Sequence, residues 1–158
     1  MIRRCADVDV ATIDAIINEA AQAYRGVIPG DCWHEPYMPR SDLLAETAAG
    51  VEFWGWEEID ALVGVMGLQK VRDATLIRHA YVRPAFQGRG IGSALLRKLA
   101  NRTKGPLLVG TWAAAEWAIR FYARNGFRQV SVLKKQRLLE TYWNVPLHQQ
   151  ENSVVLER

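Results

Sequence analysis

Residues 82–100 read VRPAFQGRGIGSALLRKLA, and three glycines, Gly88, Gly90 and Gly92, stand there at alternate positions. An apolar run, ATLIRHAYV at 74–82, comes just before them and is stopped by Pro84. Ile91, Leu95, Leu96 and Leu99 then recur at helical spacing, which predicts a helix over 91–103. A helix start leaves N–H groups unpaired and carries the positive end of the helix dipole. Glycines ahead of it accept left-handed angles and carry no Cβ. Several N–H groups then converge on one anion, so the stretch predicts a phosphate or pyrophosphate cradle. No G-K-[ST] ending makes it a P-loop. The spacing is G-x-G-x-G, with no acidic residue about 20 positions on, which argues against a dinucleotide-binding turn. The alternative is a glycine-rich turn that only packs helix on strand.

Working outward, residues 2–5 predict a short strand. Ile13, Ile16, Ile17, Ala20, Ala21 and Tyr24 predict an amphipathic helix ended by Gly26, Pro29 and Gly30. A loop rich in proline and aromatics fills 26–40, and a short helix follows Ser41. Strands are expected at 51–57, 61–71 and 74–82, with a tight turn at 58–60. LLVGTW at 107–112 reads as a buried strand. A helix is expected over 114–125, capped by Gly126. FRQVSVL and SVVLE read as two final strands around a helical or looped insert. The first strands form an antiparallel meander. The β-α-β-α-β order of the second half implies neighbouring parallel strands, and the class is α+β with a mixed, twisted sheet.

The 158 residues suit a single domain over 1–158, and 49% hydrophobic with 23% charged residues reads as soluble and globular. No run reaches the roughly 20 apolar residues of a membrane span, and the first residues show no secretory signal. Cys5 and Cys32 make neither a disulfide framework nor a metal site, so a cytoplasmic setting is expected. A net charge of +3 suits an anionic ligand, but the densest basic cluster, LKKQR at 133–137, is too short to suggest nucleic acid. His34 and His148 lack ligand partners at metal spacing, so no metal is expected.

Gln87-Gly88-Arg89-Gly90-Ile91-Gly92 resembles the Q/R-x-x-G-x-G/A acetyl-CoA signature of the GNAT superfamily of N-acetyltransferases. About 35 residues on, the run Ala118 to Phe127 resembles that superfamily's A-x-x-F-Y-x-x-x-G-F landmark. The resemblance implies a GNAT-like fold, a mixed, twisted sheet of about seven strands with helices on both faces. It implies acetyl-CoA as donor, its pyrophosphate on the N–H groups of Gln87, Gly88, Arg89, Gly90, Ile91, Gly92 and Ser93. The pantetheine arm would pair with Ala80, Tyr81 and Val82, and the thioester carbonyl would take an N–H near Val82. The sheet would split beyond these strands to open the cleft. Two departures stand out: Ala115 where many members carry Asn, and no carboxylate in Thr75–Tyr81, where many carry the general base.

The implied reaction is attack of an amine on the thioester, which needs a base and an acid. Tyr122 occupies the family's acid position; the alternative is a buried aromatic. His79 is the base by residue type, since histidine titrates near neutrality; the alternative is a fixed core histidine. Glu52, Glu57 or a water chain are rivals. In an unbroken strand Thr75, Ile77, His79 and Tyr81 share one face, Arg78 takes the other, and a bulge would change that parity. Arg78 pairs with a substrate carboxylate or makes a structural ion pair. Trp33, Tyr24 and Tyr37 flank the early loop and, with Trp54, Trp56 and Trp112, form an acceptor pocket or a core. The expected partner is a small-molecule amine, first an amino-acid-like one. A polyamine fits less well, because the loop offers only Asp31 and Glu35 as acids. The alternatives are a protein or peptide N-acetyltransferase and a non-catalytic acyl-CoA-binding or sensor module. A homodimer follows from the family alone.

Overall fold

Val51, Phe53 and the continuous buried run Leu62–Gly67 build the centre of the molecule. In the computed structural model, which describes residues 1–158, the chain runs β1 (Ile2–Arg4), α1 (Val10–Ala20), α2 (Arg40–Ala48), β2 (Glu52–Glu58), β3 (Ala61–Val71), β4 (Ala74–Val82), α3 (Ile91–Ala100), β5 (Leu107–Trp112), α4 (Glu116–Arg124), β6 (Arg128–Gln129), α5 (Val132–Tyr142), α6 (Leu147–Glu151) and β7 (Ser153–Glu157). The strands form one seven-stranded mixed sheet in the order β1-β2-β3-β4-β5-β7-β6.

Neighbouring residues of β3 and β4 face opposite layers. Val65 packs with Ile13, Ile16 and Ile17 of α1 and Leu43 of α2. Met66 and Ile77 pack with Ile91, Leu95, Leu96 and Leu99 of α3 and Tyr122 of α4. Leu76 meets Leu108 beneath Leu138 and Tyr142 of α5. Helices α1, α2 and α5 therefore cover one face, and α3 and α4 the other.

The second half departs from the parallel arrangement that its element order suggests. Only β4 and β5 are parallel neighbours; β7 lies between β5 and β6, antiparallel to both. The run FRQVSVL is a strand only at Arg128–Gln129. The Ser131 side chain accepts a hydrogen bond from the Lys134 N–H at 3.2 Å, which starts α5 and turns Val132 and Leu133 out to solvent. Helix α4 begins at Glu116 rather than at 114, and Gly126, at φ 88°, closes it as expected.

Two features of β4 position the site. It pairs with β5 only through Thr75, Ile77 and the residue between them, and beyond Ile77 the two strands part. Its register with β3 also slips: Gly67 faces Arg78 and Val65 faces Tyr81, so His79 and Ala80 together oppose Met66. His79 is the bulged residue, at φ 52°. The bulge reverses the parity of an unbroken strand. Arg78 and Tyr81 now share the α1/α2 face, while Ala80 and Val82 turn toward α3.

Gly67 fits against the bulged strand because it lacks a Cβ, which would lie 2.8 Å from Val51 Cγ1 and 2.9 Å from the Arg78 carbonyl oxygen. The carbonyl belongs to the backbone and yields little. Gly67→Ala is expected to destabilise the fold by about 1–3 kcal/mol, the usual cost of overpacking. Urea denaturation should show a lower midpoint at unchanged slope.

Candidate active site

The three glycines have different tasks. Gly88 and Gly90 adopt φ 77° and 80°, and a Cβ on either would meet nothing within 4 Å. Gly90 is the residue immediately before α3. The turn thus leaves open space beside its backbone just ahead of the unpaired N–H groups of a helix start. Gly92 is inside the helix, where a Cβ would lie 3.1 Å from the Phe121 ring, so its smallness lets α3 and α4 approach. The Gln87 side chain donates to the Val82 carbonyl at 2.9 Å and ties the turn to the end of β4. Asn125 donates to the Ser93 hydroxyl at 3.2 Å, joining the two sequence landmarks.

These residues open into a cavity of about 600 Å³ between α3 and α4. Its walls include Ala80, Tyr81 and Val82, the turn residues Gln87, Gly88, Gly90, Ile91, Gly92 and Ser93, and Tyr24 and Tyr122. The Arg89 side chain points elsewhere, stacking over Phe86 at 5.0 Å and reaching toward Glu58 at 3.8 Å. Since β4 has parted from β5, its edge from Arg78 onward has no strand partner on that side. An extended ligand segment can pair there. Unpaired N–H groups at a helix start, a free strand edge and a long cavity together fit a phosphate-bearing molecule with an extended arm.

Tyr122 packs edge-on against Phe121 and Phe127 and lines this cavity. Burial pushes the Tyr122 hydroxyl above the ordinary phenol range, with nearby Tyr24 adding to the shift, so it stays protonated. Ala115, in place of the family's Asn, is fully buried among Tyr24, Ile28 and Trp112. Apolar packing fills the position of the missing amide.

A second cavity, of about 160 Å³, lies on the opposite face where β4 and β5 part. Arg78, His79 and Tyr81 line it from β4, Thr111 and Trp112 from β5, and Trp143, Val145 and Gln149 from the segment between β6 and β7. Tyr24 and Tyr81 border both cavities. Their hydroxyls are 3.4 Å apart, and burial raises both above the usual phenol range.

Glu46, absent from the sequence-level candidates, organises this second cavity. Its carboxylate bonds Arg78 at 3.0 Å through one oxygen and His79 Nε2 through the other. Arg78 also donates to the Gln69 side chain at 2.8 Å, so the guanidinium sits in a structural ion pair. Burial alone would raise the Glu46 pKa, but the hydrogen bonds and charges of His79 and Arg78 outweigh it and hold the carboxyl below its ordinary value. His79 also stacks on Phe53, 6.1 Å between ring centres. A sequence signal for Glu46 existed: it is three residues after Leu43, on the face that α2 buries.

Other candidates lie outside both cavities. Trp33 stacks on Tyr37 at 5.8 Å, supporting a residue that does line the second cavity. Glu52 pairs with Arg4 at 2.7 Å and Glu57 with Arg3 at 3.1 Å, so neither rival base reaches the cleft. Trp54 packs under Arg102 and the Trp56 indole donates to Glu58. Trp112, by contrast, lines the second cavity, and its indole donates to the Tyr37 hydroxyl at 2.8 Å. His148 is not isolated, as its sequence spacing suggested: the fold brings it 2.9 Å from Asp31 and near Cys32 in an exposed ion pair.

Residues 49–129 match the family described as the acetyltransferase (GNAT) domain, and the chain belongs to that family. An uncharacterised N-acetyltransferase of Methanocaldococcus jannaschii is 40% identical over 67 residues, which is 40% of this chain and 30% of that protein. The match thus spans less than a third of that relative's length. PaiA N-acetyltransferase of Thermoplasma acidophilum, solved with coenzyme A, superposes over 100% of this chain and 97% of its own at a TM-score of 0.72 and 17% identity. YncA of Salmonella typhimurium, solved with acetyl-CoA, covers 83% of this chain and 80% of its own at a TM-score of 0.62 and 25% identity. The sheet order and the helices on both faces are those of the GNAT fold.

Gly90→Val is expected to abolish acetyl-CoA binding with the fold retained. Its branched side chain would project into the open space of the cradle, at a φ that β-branched residues avoid. Calorimetric titration with acetyl-CoA, beside a circular dichroism spectrum, checks both halves; normal affinity would place the cradle elsewhere.

Proposed function

We propose that this chain transfers an acetyl group from acetyl-CoA to the amine of a small molecule, by direct attack in a ternary complex. The observation that carries this reading is the pair of cavities meeting at Tyr24 and Tyr81. One holds a phosphate cradle, a free strand edge and a buried tyrosine; the other is compact and holds a histidine. Acetyl-CoA, when bound, supplies the acyl thioester.

The chain's own residues divide the remaining work. The N–H groups from Gly88 to Ser93 hold the pyrophosphate, that of Gln87 being taken by the Pro84 carbonyl at 3.3 Å. The edge of β4 at Ala80–Val82 orients the pantetheine arm, and a backbone N–H near Val82 donates to the thioester oxygen. His79, oriented by Glu46, takes a proton from the acceptor ammonium. Tyr122, kept protonated by burial, gives one to the departing sulfur. Ala115 favours a second reading, an acyl-CoA-binding module without turnover. Binding of acetyl-CoA without turnover of any amine would support it.

Acetyl-CoA at one hundred times its dissociation constant should stabilise the fold by about 2.7 kcal/mol, read as a rise in melting temperature, with NAD and ATP doing clearly less. No shift would overturn the assignment. Thiol release with a broad amine panel tests catalysis directly. Tyr122→Phe should lower kcat by roughly 10- to 1000-fold with little change in acetyl-CoA affinity, because the ring packing remains. Free thiols titrate near 8.5, so the thiolate is a tolerable leaving group and loss of the acid is not absolute. Unchanged kcat with rate-limiting chemistry would leave Tyr122 as a core aromatic.

A further inference from the structure

We infer that the acceptor is a compact amine bearing a carboxylate close to its nitrogen, of the α-amino-acid type, seated in the second cavity with its carboxylate on Arg78. This rests on the acetyltransferase reading above and narrows it.

Size gives the first limit. At about 160 Å³, the cavity is close in size to an engineered one of about 150 Å³ that holds a single benzene. That suits a small amino acid. Trp143, Val145 and Gln149 wall it on the side away from β4.

Charge gives the second. The lining has one arginine and one histidine and no aspartate or glutamate. Glu46 stands behind them, bonded to Arg78 through one oxygen and to His79 through the other. A polycation would therefore meet a cation with no free acid to receive it. A carboxylate meets a guanidinium with capacity left: Arg78 uses two donors, one on Gln69 and one on Glu46, of the five a guanidinium carries. Those same bonds hold it in place, and its side chain is only 23% exposed. A half-buried, preoriented guanidinium is suited to carboxylate recognition.

Spacing gives the third. Arg78 and His79 are consecutive, and the bulge brings both onto Glu46. A carboxylate on one and an ammonium at the other are separated by a short link, as in an α-amino acid. The balance of the reaction is then complete. The ammonium gives one proton to His79, and the nitrogen lone pair forms the N–C bond to the acetyl carbonyl as the C–S bond breaks. The new amide sheds its second proton, the sulfur takes one from Tyr122, and one proton in all passes to solvent.

The test is a panel of small α-amino acids beside their carboxamides, decarboxylated amines and polyamines, with acetyl-CoA as donor. Amino acids should be turned over, and their carboxamides should show kcat/KM lower by about 10- to 100-fold. Arg78→Met should raise the amino-acid KM by a similar factor, leave the acetyl-CoA KM in place and erase the preference for acid over amide. Arg78→Lys, which keeps the charge without the fork, should fall between. If Arg78→Met fails to fold, the acid-to-amide ratio in the unaltered protein decides alone. Equal use of acid and amide, or preference for a polyamine, overturns the inference while leaving the acetyltransferase reading intact. Acetyl-CoA binding without turnover of any amine overturns both.

Discussion

One irregularity in β4 determines most of what surrounds it. His79 and Ala80 stand where β3 offers a single residue, Met66. The extra residue bends the strand, and β4 has already left β5 by that point. The parting opens a strand edge on one side and a pocket on the other. Without the bulge, Tyr81 would point at α3 and Ala80 at α1, and β4 would lend no side chain to both cavities. A non-glycine residue at φ 52° carries a cost of about 1–3 kcal/mol. Glu46 on its ring nitrogen and Phe53 against its ring face hold it there. Gly67 opposite leaves room for the carbonyl of the preceding residue.

The glycine turn repeats this economy at smaller scale. Gly88 and Gly90 are glycines because of their φ angles, and the space beside them stays open. Gly92 is a glycine because Phe121 occupies the space its side chain would take. Alternate spacing in the sequence therefore conceals two constraints, one set by a ligand's approach and one by helix packing. The stretch leaves room for the expected cradle at Gly88 and Gly90 and packs helix on helix at Gly92. Phe121 belongs to the second landmark, so the two landmarks touch through a packing contact as well as through Asn125 and Ser93.

Local periodicity made the meander, α1, α3 and the apolar β5 legible, since each buries one face or both against a continuous core. It misled where a single capping contact competed with a pattern. Val132 and Leu133 alternate like strand residues, yet Ser131 starts a helix there and they face water. It could not place β7 between β5 and β6, because the partner of a strand is a tertiary fact. The motifs pointed to the turn residues and Tyr122, and the fold lines one cavity with them. Glu46 was not, since its partners lie 32 and 33 positions away and meet it only through the bulge. Glu52 and Glu57 attracted attention by being acids near the sheet, but the arginines of β1 hold them at its far edge.

β4 has no carboxylate of its own and meets one from α2, which makes the geometry around His79 depend on how α2 is held. Asn18, on α1, donates to the Met38 carbonyl at 3.0 Å and accepts from the Met38 N–H at 2.8 Å, a reciprocal pair that fixes the end of the 26–40 loop. Arg40, the first residue of α2, reaches Asp14 on α1 at 2.7 Å. Leu43, fully buried, then sets the rotation of α2 about its axis, and one turn later Glu46 arrives over Arg78 and His79. A carboxylate built into β4 would be positioned by the sheet alone. Here its placement passes through α1, a loop end and one buried leucine. The long aromatic loop is accordingly part of what positions Glu46 against His79, the proposed proton acceptor, and it contributes Tyr37 to the second cavity through the same anchoring.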